Sequence, residues 1–233
     1  KATLQSQLDD SDAEHFAPSS ATFCRARERL ISGAKRLPQP LRSRLQPEGL
    51  PEVWVSAGKR TRTRVEQDTQ MADFAAREAL KAHRAGKAFT LEHPGRSLAL
   101  HLPSWQELMA TPGVRCIWHH HCMFEPCTLR KYQLLITNVV HMESAVGLLC
   151  ASTGVCSRTG LPHASWKPTM EEDRVLQFAT AEASEYPSRY CNAVALGLKA
   201  WLNALEPRAA RKLLFSEAAA RAGAAPEPGH GHA

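Results

Sequence analysis

The chain has 233 residues, of which 43% are hydrophobic, and this is enough for one domain with a substantial core. Its formal net charge of +6 is compatible with a polyanionic partner without requiring one. The sequence has no run of about 18 apolar residues, as a membrane span would need, and no visible secretory signal. Seven cysteines without such a signal predict an intracellular, reduced protein with free thiols.

The two ends of the chain are predicted to lie outside the core. Residues 1–16 are polar, without an apolar period, and are expected to be disordered or a linker. Residues 206–233, rich towards the end in Ala, Gly, Pro and His, are expected to form a mostly disordered tail. The domain is therefore predicted over 17–205. Because the chain begins with Lys1 rather than Met, we expect it to be a fragment.

Residues 30–68 are predicted to form a long basic loop with at most a short element around 53–55. They contain four prolines and show little periodicity, and the stretch 35–64 has eight Lys or Arg but two acids. Such a run is typical either of a solvated loop or of a loop that closes over phosphates. The candidate nucleic-acid-binding residues are Lys35, Arg36, Arg42, Arg44, Lys59, Arg60, Arg62 and Arg64.

Regular elements are predicted from residue 69 onward. Apolar residues at helical spacing indicate a helix over 69–82, ending before Gly86. The following elements are predicted as a strand over 88–92, a helix over 103–110, strands over 114–118 and 131–138, a helix over 141–149 and a helix over 187–205. This alternation predicts an α/β fold, an incomplete Rossmann-like sheet flanked by helices.

Three short segments stand in a distinctive order: 17–23 (APSSATF), 89–94 (FTLEHP) and 122–138 (CMFEPCTLRKYQLLITN). Their order and spacing resemble those of the DNA cytosine-5 methyltransferases, in the divergent form found in retroelement-type polyproteins. The resemblance covers roughly 17–205. It implies a methyltransferase-like sheet, DNA as the partner and S-adenosylmethionine as the cofactor.

The first segment carries the position of the family's nucleophile. In the family a cysteine attacks ring carbon 6 of a cytosine that has been flipped out of the duplex. When the segments are aligned on Ala21-Thr22-Phe23, this position holds Ser20. A serine hydroxyl is a poor nucleophile without a dedicated base, so the resemblance implies an altered catalytic position. Cys24 is an alternative nucleophile four residues further along.

The other two segments carry the family's remaining site residues. The resemblance gives Glu92 the contact with the Watson–Crick edge of the cytosine; the alternative is a strand-end carboxylate that meets solvent. It gives Arg130 the task of orienting Glu92 or holding the DNA backbone; the alternative is an exposed basic turn. His93, Tyr132 and Glu125 stand where the family has Asn, Arg and Gly.

The cofactor site of the family is poorly represented in this sequence. Its glycine-rich loop should precede Ala17, but residues 1–16 contain no glycine, and the cofactor-binding residues are unknown. The prediction is a truncated, inactive copy of a DNA methyltransferase, located where it can meet DNA, such as the nucleus. Two alternatives remain: a non-catalytic nucleic-acid-binding module with a structural zinc site, or a remnant without a stable fold.

Histidines and cysteines cluster in the second half of the chain. In a strand, His119 and His121 would share one face, and His120 and Cys122 the other. Zinc prefers four N or S ligands, and the candidate set is Cys122, Cys150, Cys156 and His163. The alternative is a set of unliganded thiols and surface imidazoles.

Overall fold

The computed structural model describes residues 3–28, 39–125, 129–152, 154–164, 169–170, 176–177 and 186–222. Its helices are α1 (Leu4–Asp10), α2 (Pro51–Val55), α3 (Lys59–Arg84), α4 (Pro103–Ala110), α5 (Met142–Val146) and α6 (Ser188–Ala222). Its strands are β1 (Ala13–Phe16), β2 (Ala88–Pro94), β3 (Arg115–His120), β4 (Tyr132–Thr137), β5 (Thr169–Met170) and β6 (Leu176–Gln177). No helix within these residues is long and apolar enough to cross a membrane.

Within the described residues, four strands form a mixed sheet in the order β1-β2-β4-β3. Strand β1 is parallel to β2, whereas β4 is antiparallel to both β2 and β3. The ends of β1, β2 and β3 and the start of β4 therefore lie at one edge of the sheet, which we call the carboxyl edge. The predicted α/β class is confirmed, and the finer Rossmann-like arrangement stays a prediction.

Helices cover both faces of this sheet. One face, which includes Phe89 and Leu91, packs against α3 and α4. The other face, which includes Ala88, packs against α5 and α6. Because successive strand residues point to opposite faces, Glu92 belongs to the α6 face and His93 to the α3 face.

The structure differs from the predicted organisation at the amino end. Residues 1–16 were expected to be disordered or a linker, but β1 pairs with β2 and places Ala13 opposite Ala88. Lys87 fixes helix α1 beside this strand, because its Nζ donates to the carbonyls of Leu8 and Asp9 at 2.8 and 2.7 Å. A four-residue strand has too short a pattern to be recognised without its partner.

Helix α2 coincides with the short element expected around 53–55. The predicted loop over 30–68 is wrong from residue 59 onward, because the first turns of α3 occupy this part and α3 begins at Lys59 rather than near Thr69. The buried face of these turns includes Val65 and Asp68, and a charged residue there interrupts the apolar period. The predicted tail also begins as helix, because α6 continues to Ala222. Residues 223–233 lie outside the described part.

Candidate metal centre and carboxyl-edge cleft

The histidine run at the end of β3 sends its side chains to two sides. The rings of His119 and His121 stack with centroids 5.5 Å apart on the α6 face. On the other side, Nδ1 of His120 accepts the backbone N–H of Cys150 at 3.1 Å. Cys122 is buried with Cys150 on that second side. The predicted grouping of these side chains is present, but not through one strand, because β3 ends at His120 and His121–Met123 form a 3-10 helix.

The four predicted zinc ligands come together beside the end of β3. One ligand atom from each of Cys122, Cys150, Cys156 and His163 lies within 4.8 Å of all the others. The Cys150 Sγ and His163 Nε2 atoms are 3.8 Å apart. The three cysteines are at most 2% exposed, so water cannot solvate them freely. Three sulfur atoms and one imidazole are a donor set of structural zinc sites, and these residues fit zinc.

A tight turn presents two of these ligands. The N–H of Cys156 donates to the carbonyl of Leu161 at 2.8 Å, and the N–H of Gly160 donates back to Cys156 at 2.9 Å. Gly160 has a φ of +71°, a left-handed conformation in which a side chain would be strained. His163 then follows, with its N–H on the carbonyl of Gly154 at 2.8 Å. This hairpin-like turn aims Cys156 and His163 at the same point.

The cluster favours thiolates at two of its three cysteines. Burial raises the pKa of Cys150, but the N–H and hydroxyl of Ser157 donate to its sulfur and bring that pKa down to about 7. Hydrogen bonds from Thr159 bring the pKa of Cys156 down to about 7 in the same way, against burial. At Cys122, burial raises the pKa, and the neighbouring sulfurs raise it further. A bound cation would relieve this mutual repulsion and displace the remaining proton.

Arg130 anchors this centre instead of serving Glu92. Its Nη2 donates to the carbonyl of Cys150 at 2.7 Å. Arg130 stands just before β4, so this bond fixes the ligand-bearing loop to the sheet. The structure thus shows Arg130 bonded to the Cys150 loop and not to Glu92, and its half-buried side chain is not the exposed basic turn of the alternative. The contact of Arg130 with the DNA backbone stays a prediction.

Glu92 is enclosed on the α6 face and is 3% exposed. Tyr186 donates its hydroxyl to Glu92 Oε2. Burial raises the pKa of Glu92, while the Tyr186 hydrogen bond and the charge of Lys131 lower it in part. The alternative of a carboxylate that meets solvent is therefore wrong. Tyr186 was not identified from the sequence as a site residue, although it directly precedes Pro187, the residue before α6.

The three segments of the family resemblance all reach the carboxyl edge. The turn of Ser20 follows β1, Glu92 stands near the end of β2, and Arg130 precedes β4. Within the Ser20 turn, however, Phe23 contacts His93, with ring centroids 6.2 Å apart. That contact is on the α3 face, whereas Glu92 belongs to the α6 face.

Arg42 was predicted to face phosphates, and the structure corrects this. The side chain is 2% exposed and lies over the ring of Phe23, 3.7 Å from its centroid. Its guanidinium donates to Thr22, Pro47, Val65 and Thr69. Burial lowers the pKa of Arg42 to about 10, and the charge of Asp68 opposes this effect. Arg42 is therefore a buried cation whose hydrogen bonds join several segments of the protein.

Arg44, by contrast, is exposed and lines a cleft at the carboxyl edge. The cleft has a volume of about 450 Å³ and is also lined by Arg25 and Arg96. Burial lowers the pKa of His101 in this cleft, and the charges of Arg44 and Arg25 lower it further. None of the described residues that line the cleft is acidic. Arg25 and Arg96 were missed in the sequence because both stand outside the basic stretch 35–64.

The other predicted basic residues start a helix rather than a loop. Lys59, Arg60, Arg62 and Arg64 are all exposed on the first turns of α3. No acid stands in its first turn, so these cations face the positive end of the helix dipole without compensation. Lys35 and Arg36 lie outside the described residues.

Comparison of the whole chain with protein-family models, with curated proteins and with solved structures gave no significant match.

Proposed function

We propose that this protein is a zinc-stabilised α/β domain that binds DNA through the phosphate backbone at its carboxyl edge. The observation that carries the proposal is the cleft lined by Arg25, Arg44 and Arg96, whose described lining residues include no acid. Ligands of open α/β sheets bind outside the carboxyl ends of the strands. Gly95 to Ser97 directly follow β2, so this cleft occupies that position.

The chemistry of the cleft suits phosphate. A guanidinium offers a planar fork of donors that matches phosphate oxygens, and several of them hold an anion better than one. Arg25 is already paired with Glu28 at 2.8 Å, which leaves Arg44 and Arg96 as the principal candidates. The exposed cations at the start of α3 add a second basic surface, whose unfavourable position on the helix would be offset by a bound polyanion.

Zinc has a structural role in this proposal. The ligand set is closed by four protein atoms, and a structural site of this type has no open position for a substrate. The ion would fix the irregular segment 150–164 to the end of β3 and to the start of β4, where Arg130 already holds it.

Replacement of both principal arginines tests the DNA part of the proposal. For the double variant Arg44→Gln/Arg96→Gln, we expect weaker binding of a duplex oligonucleotide. The slope of log Kobs against log salt should fall by about 2, because each lost phosphate contact removes roughly 0.9. Fluorescence anisotropy over a series of salt concentrations measures both quantities.

The matched control is Arg84→Gln/Arg115→Gln. These arginines are exposed and lie at the other edge of the sheet, where they pair with Glu107 and Glu143. This control should bind DNA with an unchanged salt slope. If both double variants lose the same slope, DNA binding reflects net charge alone and the cleft has no special role.

A second proposal concerns the methyltransferase resemblance: the domain is related to that family but transfers no methyl group. The convergence of the three segments on one edge supports the relationship. The enclosure of Glu92, its bond from Tyr186 and the serine at position 20 support inactivity. Whether S-adenosylmethionine binds at all is part of the same proposal.

We therefore expect no methyl transfer from radiolabelled S-adenosylmethionine to a cytosine-containing duplex, and no heat of cofactor binding in calorimetry. Incorporation of label into DNA that disappears in Glu92→Ala and persists in the exposed control Glu107→Ala would show an active enzyme and overturn this proposal.

A further inference from the structure

A second group of ligand-type side chains lies across the sheet from the cysteine cluster. The carboxylate of Glu92 and the imidazoles of His119 and His121 each offer an atom within 4.8 Å of the other two. All three residues are buried, with exposures of 3%, 0% and 2%. They come from β2, from β3 and from the turn after it, so the fold and not the sequence brings them together.

Buried polar atoms without a hydrogen-bond partner concentrate at this point. They include Glu92 Oε1, both ring nitrogens of His119, His121 Nε2 and the hydroxyl of Tyr190. Burial lowers the pKa of His119 to about 4, and the backbone at Ile117 opposes this effect without forming a bond of ordinary geometry with the ring. A buried polar atom without a partner destabilises the folded protein, because it has lost its bonds to water. Several at one place indicate that a ligand satisfies them.

The surroundings resemble those of a metal ligand set. Tyr186 holds Glu92 Oε2 and leaves Oε1 available, and ligating carboxylates are usually oriented by such a second bond. Tyr190 stacks on His119 with centroids 4.7 Å apart, and the rings of Tyr186 and Phe124 complete an aromatic shell. Lys131 lies over the Tyr186 ring at 5.3 Å and contributes positive charge near Glu92.

We propose that Glu92, His119 and His121 bind a second divalent metal ion of the zinc class through one oxygen and two nitrogens. Two imidazoles and one carboxylate form a donor set for zinc and for ferrous iron. Two donor atoms on one ion stand no more than about 4.2 Å apart, since each bond is about 2.1 Å. The observed separations, all within 4.8 Å, need only a small adjustment of the side chains.

The two metal sites share no ligand, because neighbouring residues of the histidine run point to different sides of the sheet. His119 and His121 supply the nitrogen–oxygen site on the α6 face, while Cys122 supplies the sulfur-rich site on the other side. One short stretch at the end of β3 thus serves two ions of different ligand chemistry. The second ion would join β2 to β3. It would also occupy Glu92, which could then not contact a cytosine.

Zinc content and X-ray absorption of the purified protein test this proposal. We expect two zinc ions per chain, with nitrogen and oxygen outnumbering sulfur in the mean first shell. Cys150→Ser should leave one zinc without sulfur ligands, and Glu92→Gln or His121→Asn should leave one zinc that is rich in sulfur. The control His120→Asn, in the same run but on the other side, should retain the nitrogen–oxygen ion.

If a variant fails to fold, a cobalt titration of the wild-type protein still tests for the second site. Cobalt titration should develop thiolate charge-transfer absorption up to one equivalent, and a second equivalent should add only weak ligand-field bands. Saturation at one equivalent in a sulfur-rich shell, for both zinc and cobalt, would overturn the second site and leave the cysteine site intact. Loss of charge transfer with retention of one nitrogen–oxygen ion would instead overturn the cysteine site alone.

Discussion

Chelation of zinc from the cysteine site is expected to unfold the protein, so that no cooperative thermal transition remains. Structural zinc contributes about 10–16 kcal/mol of apparent binding free energy in small zinc domains. A whole domain is stable by only about 5–15 kcal/mol. The ion would therefore provide as much free energy as the net stability of this fold. Circular dichroism melts in the presence and absence of a chelator measure the effect.

A single ligand substitution should reproduce that result without a chelator. Cys156 lies at the tight turn closed by Gly160, so Cys156→Ser should lose the ion and the order of its loop. Cys191→Ser is the matched control, because that cysteine is exposed on α6 and outside the cluster. A Cys156→Ser protein that melts like the control, with the same zinc content, would contradict a structural role for zinc.

The central elements were predictable because apolar residues dominate them. The strand β2 is buried over nearly its whole length, and the helix α4 begins at a proline and buries Trp105 and Leu108. These patterns need no knowledge of the rest of the fold. The opposite directions of His119 and His120 were predictable for the same reason, since a period of two is local to the strand. The positions of His121 and Cys122 were not, because they belong to the 3-10 helix His121–Met123.

Elements that depend on distant partners were not predictable. Strand β1 is recognisable only through its register with β2, and the buried Asp68 in α3 makes sense only beside Thr22, whose hydroxyl donates to it at 2.7 Å. The charge run that contains Arg42 gave no sign that one of its members is internal. Likewise, the sequence separates Glu92 from His119, and it is the strand order that makes them neighbours across β4.

Arg42→Met is expected to destabilise the protein by roughly 3–5 kcal/mol, the usual cost of removing one partner from a buried charged network. The guanidinium donates to Thr22 Oγ1 at 2.8 Å and to the Val65 carbonyl at 2.7 Å, and methionine can replace neither bond. Thr22 in turn donates to Asp68, so the loss also weakens the support of a buried carboxylate. Urea unfolding measures the change in the free energy of unfolding.

The neighbouring Arg44 separates stability from binding. Arg44→Met should change the free energy of unfolding by no more than about 0.5 kcal/mol, because the side chain is exposed. It should weaken DNA binding instead, since this arginine lines the cleft. An Arg42→Met protein that unfolds at the wild-type urea concentration but loses DNA affinity would restore the phosphate role to Arg42. The two arginines, two positions apart, thus test whether burial or charge decides what a basic residue does in this chain.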